Sequence, residues 1–312
     1  MKIFIAGHKG MVGSSIFKKA KNQKDFEIHI QEKNSLNLLN QTRVLEFFLI
    51  KKFDLVIDCA AKVGGIHSNN KYRAEFIYEN LQIQNAVLNS AADLDIPNLI
   101  FLGSSCIYPR LAPQPITEDS LLSGPLEPTN EGYALAKIVG LKLCNAIHKD
   151  LGLNYFSLMP TNLYGPNDNF SLEDGHVPAA LMRRFHEAKM TNQNSVKVWG
   201  SGNPKREFMH VDDLANACWF LAEKNLGGEL INIGTGIDID ISEFAKKIAA
   251  IVGFQGEIEF DISKPDGSPR KLLDVSKVHG LGWQHKIQLE DGLLATYKWF
   301  VQSLEKGEVR GY

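Results

Sequence analysis

The feature that most limits how this 312-residue chain folds is an alternation of short apolar runs with helix-like segments. It opens with the strand-like KIFIA of Lys2–Ala6, a glycine-rich turn, and a helix pattern over Met11–Ala20. Strands are then expected over 26–31, 54–59, 98–103 and 155–159, and helices over 41–51, 69–93 and 132–149. Parallel strands need crossover connections, and crossover helices cover both faces of the sheet they join. The alternation therefore predicts an α/β fold with a doubly wound parallel sheet. After Tyr164 the rhythm breaks at GPNDNFSLEDGH, where a smaller lobe begins. A helix pattern over 212–223 and a run over 229–233 are placed to return to the large sheet, which makes the second lobe discontinuous.

The turn Gly7-His8-Lys9-Gly10-Met11-Val12-Gly13 lies between the first strand and the first helix, the context in which a glycine pattern signifies a phosphate loop. Gly7 allows the tight turn, Gly10 lets a pyrophosphate approach the backbone, and Gly13 permits close helix packing. The helix N-terminus offers free N–H groups to the phosphates. This is a Rossmann signature. It sets the expected division at 1–164 plus roughly 211–238 for a dinucleotide-binding domain, and 165–210 plus roughly 239–312 for a C-terminal substrate lobe. After the second strand, Glu32 would suit the ribose hydroxyl of NAD, whereas Lys9 and Lys33 would suit the extra phosphate of NADPH. The two lysines favour NADPH, although both side chains would also be at home in water.

Tyr133 and Lys137 form YxxxK at the start of a predicted helix, and the i, i+4 spacing puts both on one face. A ketone that accepts hydride needs a proton at its oxygen. An ammonium near the phenol is expected to lower the phenol's pKa toward working pH. Ser104, in GSSCIY, ends a strand at the edge where such sheets bind their ligands, and its hydroxyl can bond a carbonyl oxygen. YxxxK alone is weak. Loop, serine and YxxxK in this order point together to nicotinamide-dependent ketone reduction.

Composition narrows the remainder. A formal net charge of −2 gives no electrostatic case for nucleic-acid or anionic-membrane binding. No run approaches the length of a membrane span or a signal-peptide core, so a cytoplasmic protein is expected. Cys59, Cys106, Cys144 and Cys218 are widely spaced and form no CxxC pair, so no metal site and no disulfide framework is expected. Cys59, Cys144 and Cys218 read as small apolar residues, and a lone histidine such as His176 is more often structural than catalytic.

The segments GHKGMVGSSI, AAKVGGIHSN, FLGSSCIYP, LEPTNEGYALAK, MPTNLYGPNDNF, HVPAALMRRF, VWGSGNPKREFMHVDDLA and KPDGSPRKLLDV run nearly end to end. On them the chain resembles the GDP-L-fucose synthase family of the extended short-chain dehydrogenase/reductases. The resemblance implies NADPH-dependent reduction of C4 of GDP-4-keto-6-deoxy-mannose after epimerisation at C3 and C5. It also implies a homodimer built on the helices expected over 69–93 and 132–149. Carried over by residue, Ser104, Tyr133 and Lys137 are the reducing set, and Cys106 and His176 the epimerising base and acid. Gly7, Lys9, Gly10, Met11, Val12, Gly13, Lys33, Leu102, Gly103, Pro160, Asn162, Leu163 and His176 border the cofactor, with Tyr133 and Lys137. Ser105, Cys106, Asn162, Arg184, Trp199, Arg206, Asp266 and Lys271 hold the GDP-sugar, and the cations among them suit a diphosphate.

Three other readings share parts of this pattern. A C4 reductase without epimerase activity, acting on a GDP-4-keto-heptose, would need the reducing set only. A UDP-sugar 4-epimerase with tightly held NAD would use the same centre, and the second-lobe motifs count against it. A non-catalytic nucleotide sensor would not need Ser104, Tyr133 and Lys137 together.

Overall fold

The computed structural model describes residues 1–21, 25–264 and 266–312, so Pro265 of the KPDGSPRKLLDV segment lies outside the described residues. Its first half follows the expected alternation. β1 (Lys2–Ala6) leads through the glycine turn into α1 (Met11–Ala20), followed by β2 (Glu27–His29), α2 (Gln41–Lys51) and β3 (Leu55–Asp58). α2 starts at Asn40 because that side chain accepts the Arg43 N–H at 3.1 Å, which satisfies a donor the helix leaves free.

The helix expected over 69–93 is two helices, α3 (Ile66–Lys71) and α4 (Arg73–Asp93), broken at Tyr72 with φ −114° and ψ 41°. The carbonyl of Asn70, which a continuous helix would bond to residue 74, instead accepts the Arg73 Nε at 3.2 Å. The chain continues through β4 (Asn98–Leu102), α5 (Glu131–Leu151), β5 (Asn154–Pro160) and β6 (Asn162–Tyr164). Then come α6 (Val177–Met190), β7 (Ser195–Trp199), β8 (Lys205–His210), α7 (Val211–Ala222) and β9 (Leu230–Ile233).

Six strands form one sheet in the order β2-β1-β3-β4-β5-β9, and all its pairings are parallel. From β1 the chain steps outward to β2 and then crosses back to β3 on the other side. That reversal opens a crevice at the strand C-termini, the place where such sheets take ligands. α1 packs against α7, while α2, α4 and α5 pack in series. Leu55–Ile57 of β3 and the inner residues of β1 and β4 read as apolar runs, and β5 is apolar apart from Ser157; all are buried.

The rest of the chain adds β10 (Asp238–Asp240), α8 (Ile241–Val252), β11 (Glu257–Asp261), β12 (Arg270–Lys271), α9 (Ser276–Gly280) and α10 (Leu289–Glu305). β10, β8 and β12 lie side by side with β6 also on β8, and β11 pairs with β7. A second apolar cluster, with Phe170, Phe185, Phe208, Phe244 and Phe300 within it, is separate from the core of the large sheet. One buried carboxylate joins the two regions. Glu207 of β8 accepts N–H groups of Thr235 and Gly236 on one oxygen, at 2.5 and 2.8 Å, and that of Leu273 on the other at 3.0 Å.

Candidate active site

The loop after β1 is shaped by what its glycines leave out. Gly7 has φ +77°, a conformation side chains avoid, and its carbonyl accepts the Gly10 N–H at 3.0 Å. A Cβ on Gly13 would fall on the Gly7 carbonyl and 2.9 Å from His8 Cα. One on Gly10 would meet nothing nearer than 3.4 Å, so that side of the loop is open. Gly10 caps α1 without any side-chain hydrogen bond, and a helix leaves the N–H groups of its first turn, where Met11 and Val12 lie, without partners inside it. A dinucleotide pyrophosphate fits this cradle. Lys9 pairs with Glu32 at 2.7 Å in solvent, and the ammonium holds the carboxyl of Glu32 below its usual range. Lys33 is exposed beside them.

β4 ends at Leu102, and Gly103 is packed so closely on Met159 that a Cβ there would fall on its thioether. Ser104 is extended, and its Oγ accepts the Cys106 N–H at 3.3 Å, which starts a single 3-10 turn over Ser105–Ile107. Ser105 is buried. α5 then brings in Tyr133 and Lys137. Lys137 is 3% exposed; its Nζ donates to the Leu102 carbonyl at 2.7 Å and lies 6.0 Å from the Tyr133 ring centroid. Burial pulls this amine down, and the neighbouring Asp58 carboxylate opposes that. The phenol of Tyr133 is pushed up, by burial first and then by Cys106. The sequence-based expectation of a lowered phenol therefore does not hold here, because the ammonium is engaged by a carbonyl and burial dominates. A phenol kept neutral is a proton donor.

The sulfur of Cys106 accepts the Asn130 Nδ2 at 3.3 Å and the Lys271 Nζ at 3.7 Å. Negative charge developing on that sulfur would meet an amide and an ammonium. Lys271 reaches it because β12 runs parallel to β8, pairing Lys271 with Arg206. His176 caps the N-terminus of α6, half exposed, with its Nδ1 3.8 Å from an oxygen of the buried Asp168. Burial lowers the imidazole's pKa, Asp168 outweighs it and Arg310 opposes, so the net displacement is upward. Pro160 ends β5, and Asn162 and Leu163 follow in β6, where the Asn162 amide donates to the Glu207 carbonyl at 2.8 Å.

The remaining candidates form two pairs in the second region. The Arg184 guanidinium lies 4.9 Å over the half-exposed Trp199 ring. Arg206 reaches the Asp266 carbonyl at 3.4 Å, whereas the Asp266 carboxylate is turned to Ser201, accepting its N–H at 2.7 Å and its hydroxyl at 2.8 Å. Arg183, next to Arg184, is committed elsewhere, to the carbonyls of Phe170 and Gly311 and to Glu187. Four site residues went unnoticed in the sequence: Asn130, three residues before Tyr133; Asp168, in the NDNF turn; Asp58; and Glu207. An Asn ahead of YxxxK and an Asp in the loop before His176 were the available signals. Among the described residues no cluster of three or more His, Cys, Asp or Glu could hold a metal.

An open phosphate loop at the switch point, with a phenol and an ammonium carried by the helix after β4, is the architecture of nicotinamide-dependent short-chain dehydrogenase/reductases. The chain belongs to the NAD dependent epimerase/dehydratase family, whose model matches residues 3–234. It is 51% identical over 314 residues to a GDP-L-fucose synthase of Escherichia coli (strain K12), covering 98% of each chain. It is 52% identical to GDP-L-fucose synthase 1 of Arabidopsis thaliana, over 97% of this chain and 94% of that one. Among solved structures it is similar to a GDP-mannoheptose C4 reductase of Campylobacter jejuni with NADP bound. That pair shares 35% identity with a TM-score of 0.86, over 96% of this chain and 98% of the other.

Proposed function

We propose that the chain inverts C3 and C5 of a GDP-linked 4-keto-6-deoxy-sugar and then reduces the C4 ketone with NADPH, as in GDP-L-fucose synthesis. The observation that carries this reading is the position of Cys106. Its sulfur, held by Asn130 and Lys271, stands two residues beyond Ser104 and close enough to Tyr133 to perturb the phenol. A reductase alone has no use for a thiol held there.

The C4 carbonyl acidifies the hydrogens on C3 and C5. Ser104 and the neutral phenol of Tyr133 donate to the carbonyl oxygen and stabilise the enolate. Cys106 takes the proton from one face, and protonated His176 returns one to the other. NADPH, when bound, supplies hydride to C4. Tyr133 then gives its proton to the C4 oxygen, and Lys137 holds the nicotinamide ribose. Lys9 and Lys33 would hold the 2′-phosphate of the cofactor. Leu102, Gly103, Pro160, Asn162 and Leu163 border the nicotinamide. Arg184 with Trp199, and Arg206, receive the GDP portion, and Asp266 fixes the Ser201 loop beside them.

The molecule is proposed to be a cytoplasmic homodimer. α4 and α5 are neighbours and expose Tyr78, Leu135 and Val139, an apolar face suited to a second copy. Four free cysteines agree with a reducing compartment. The chief alternative, C4 reduction without epimerisation, is favoured by the similarity to the heptose C4 reductase. NADPH oxidation that depends on GDP-4-keto-6-deoxy-mannose tests the reading, and no oxidation with this or a GDP-4-keto-heptose would refute it.

A further inference from the structure

Asp58 ends β3 at the switch point and is completely buried, yet the proposed chemistry does not use it. One carboxylate oxygen accepts the Ala60 N–H at 3.1 Å, and the other is buried with no hydrogen-bond partner among the described residues. A carboxylate so placed is strongly disfavoured unless a cation compensates it. The sheet register identifies that cation. Asp58 stands opposite Phe101 of β4, and paired residues on neighbouring strands direct their side chains to the same face. The Lys137 ammonium lies over this face, 4.6 Å from the Phe101 ring centroid. Its hydrogen bond is to a neutral carbonyl, that of Leu102, so among the described residues the ammonium's charge is also left without a bonded counter-ion.

We infer that Asp58 is a positioning residue: the buried counter-charge that keeps Lys137 an ammonium at the reducing centre and holds it beside the end of β4. The inference rests on the reading of Lys137 as part of that centre. Other ionisable groups do not take the role. Near this pair are the thiols of Cys59, just after β3, and Cys144 on α5, with Tyr133 one turn along α5; Cys218 on α7 lies near Cys59. Burial pushes all three thiols up and leaves them neutral, as it does the phenol. Asp58 is the remaining anion. Burial pushes its carboxyl up, to about 6, and Lys137 pulls it back down.

The test is the pH profile of kcat for NADPH oxidation with an already epimerised GDP-4-keto-sugar, whose reduction does not call on His176, wild type against Asp58→Asn, from about pH 5 to about pH 10. Without the carboxylate the ammonium loses its proton at lower pH. The alkaline limb is expected to move down by about one unit or more, a loss of about tenfold on that limb. A merely structural Asp58 would scale the rate at every pH and leave the limb where it was, and that result would overturn the inference. A wild type that oxidises no NADPH would instead refute the functional reading. The coupling is then read without turnover, as it is if Asp58→Asn fails to fold. In carbon-13 NMR, the Asp58 carboxyl should titrate about one unit or more higher in Lys137→Met than in wild type. An unmoved titration would overturn the inference.

Discussion

The role proposed for Tyr133, that of an acid, rests on burial and the nearby sulfur, which push its phenol up. Removing that hydroxyl takes away the proton donor but leaves the helix, so Tyr133→Phe should lower the rate of NADPH oxidation by about 10²–10⁴-fold. Exchange of substrate protons with solvent should fall less, because Ser104 still holds the oxygen. Cys106→Ser should do the reverse, cutting exchange while sparing reduction of a ketone already epimerised; equal loss of both would contradict its role. His176 has a pH signature of its own. Asp168 raises its pKa against burial, so the imidazolium persists to higher pH than burial alone would permit. Asp168→Asn should therefore bring down both the titration of His176 in proton NMR and the alkaline limit of solvent exchange. At this scale the sequence was legible where a motif carried the residue, as with Ser104, Tyr133 and Lys137. Asp58, Asn130, Asp168 and Glu207 were not, since each acts through a partner on a different element.

Elements impose their own constraints on the site. α5 lies so close to β4 that a Cβ on Gly140 would meet the Phe101 ring, with Cε1 at 2.8 Å. Phe101 also lies beneath the Lys137 ammonium. Gly140→Ala should consequently destabilise the fold by about 1–3 kcal/mol in denaturant unfolding and weaken NADPH binding with it. Apolar runs made most elements readable, α1 and α2 among them. The break at Tyr72 was not readable, because no proline or glycine marks it. At the break the Asn70 carbonyl accepts the Arg73 Nε in place of a helical N–H.

At the scale of the whole molecule, strand order decides where ligands go, and crossover length was enough to predict a parallel sheet with β9 returning to it. The order of strands, with β2 and β3 on opposite sides of β1, depends on long-range packing that no local pattern encodes. The exposed apolar face of α4 and α5 predicts self-association. Val139→Glu should shift sedimentation from dimer toward monomer while leaving the far-ultraviolet spectrum unchanged. One oxygen-binding centre, Ser104 with Tyr133, is proposed to serve enolisation first and reduction second. The most direct test is to incubate the protein with GDP-4-keto-6-deoxy-mannose in deuterated water without NADPH, follow C3 and C5 by NMR, and then add NADPH. The account predicts deuterium at both carbons before any reduction and a doubly inverted, C4-reduced product afterwards. Reduction with no deuterium at either carbon would contradict it and leave a C4 reductase.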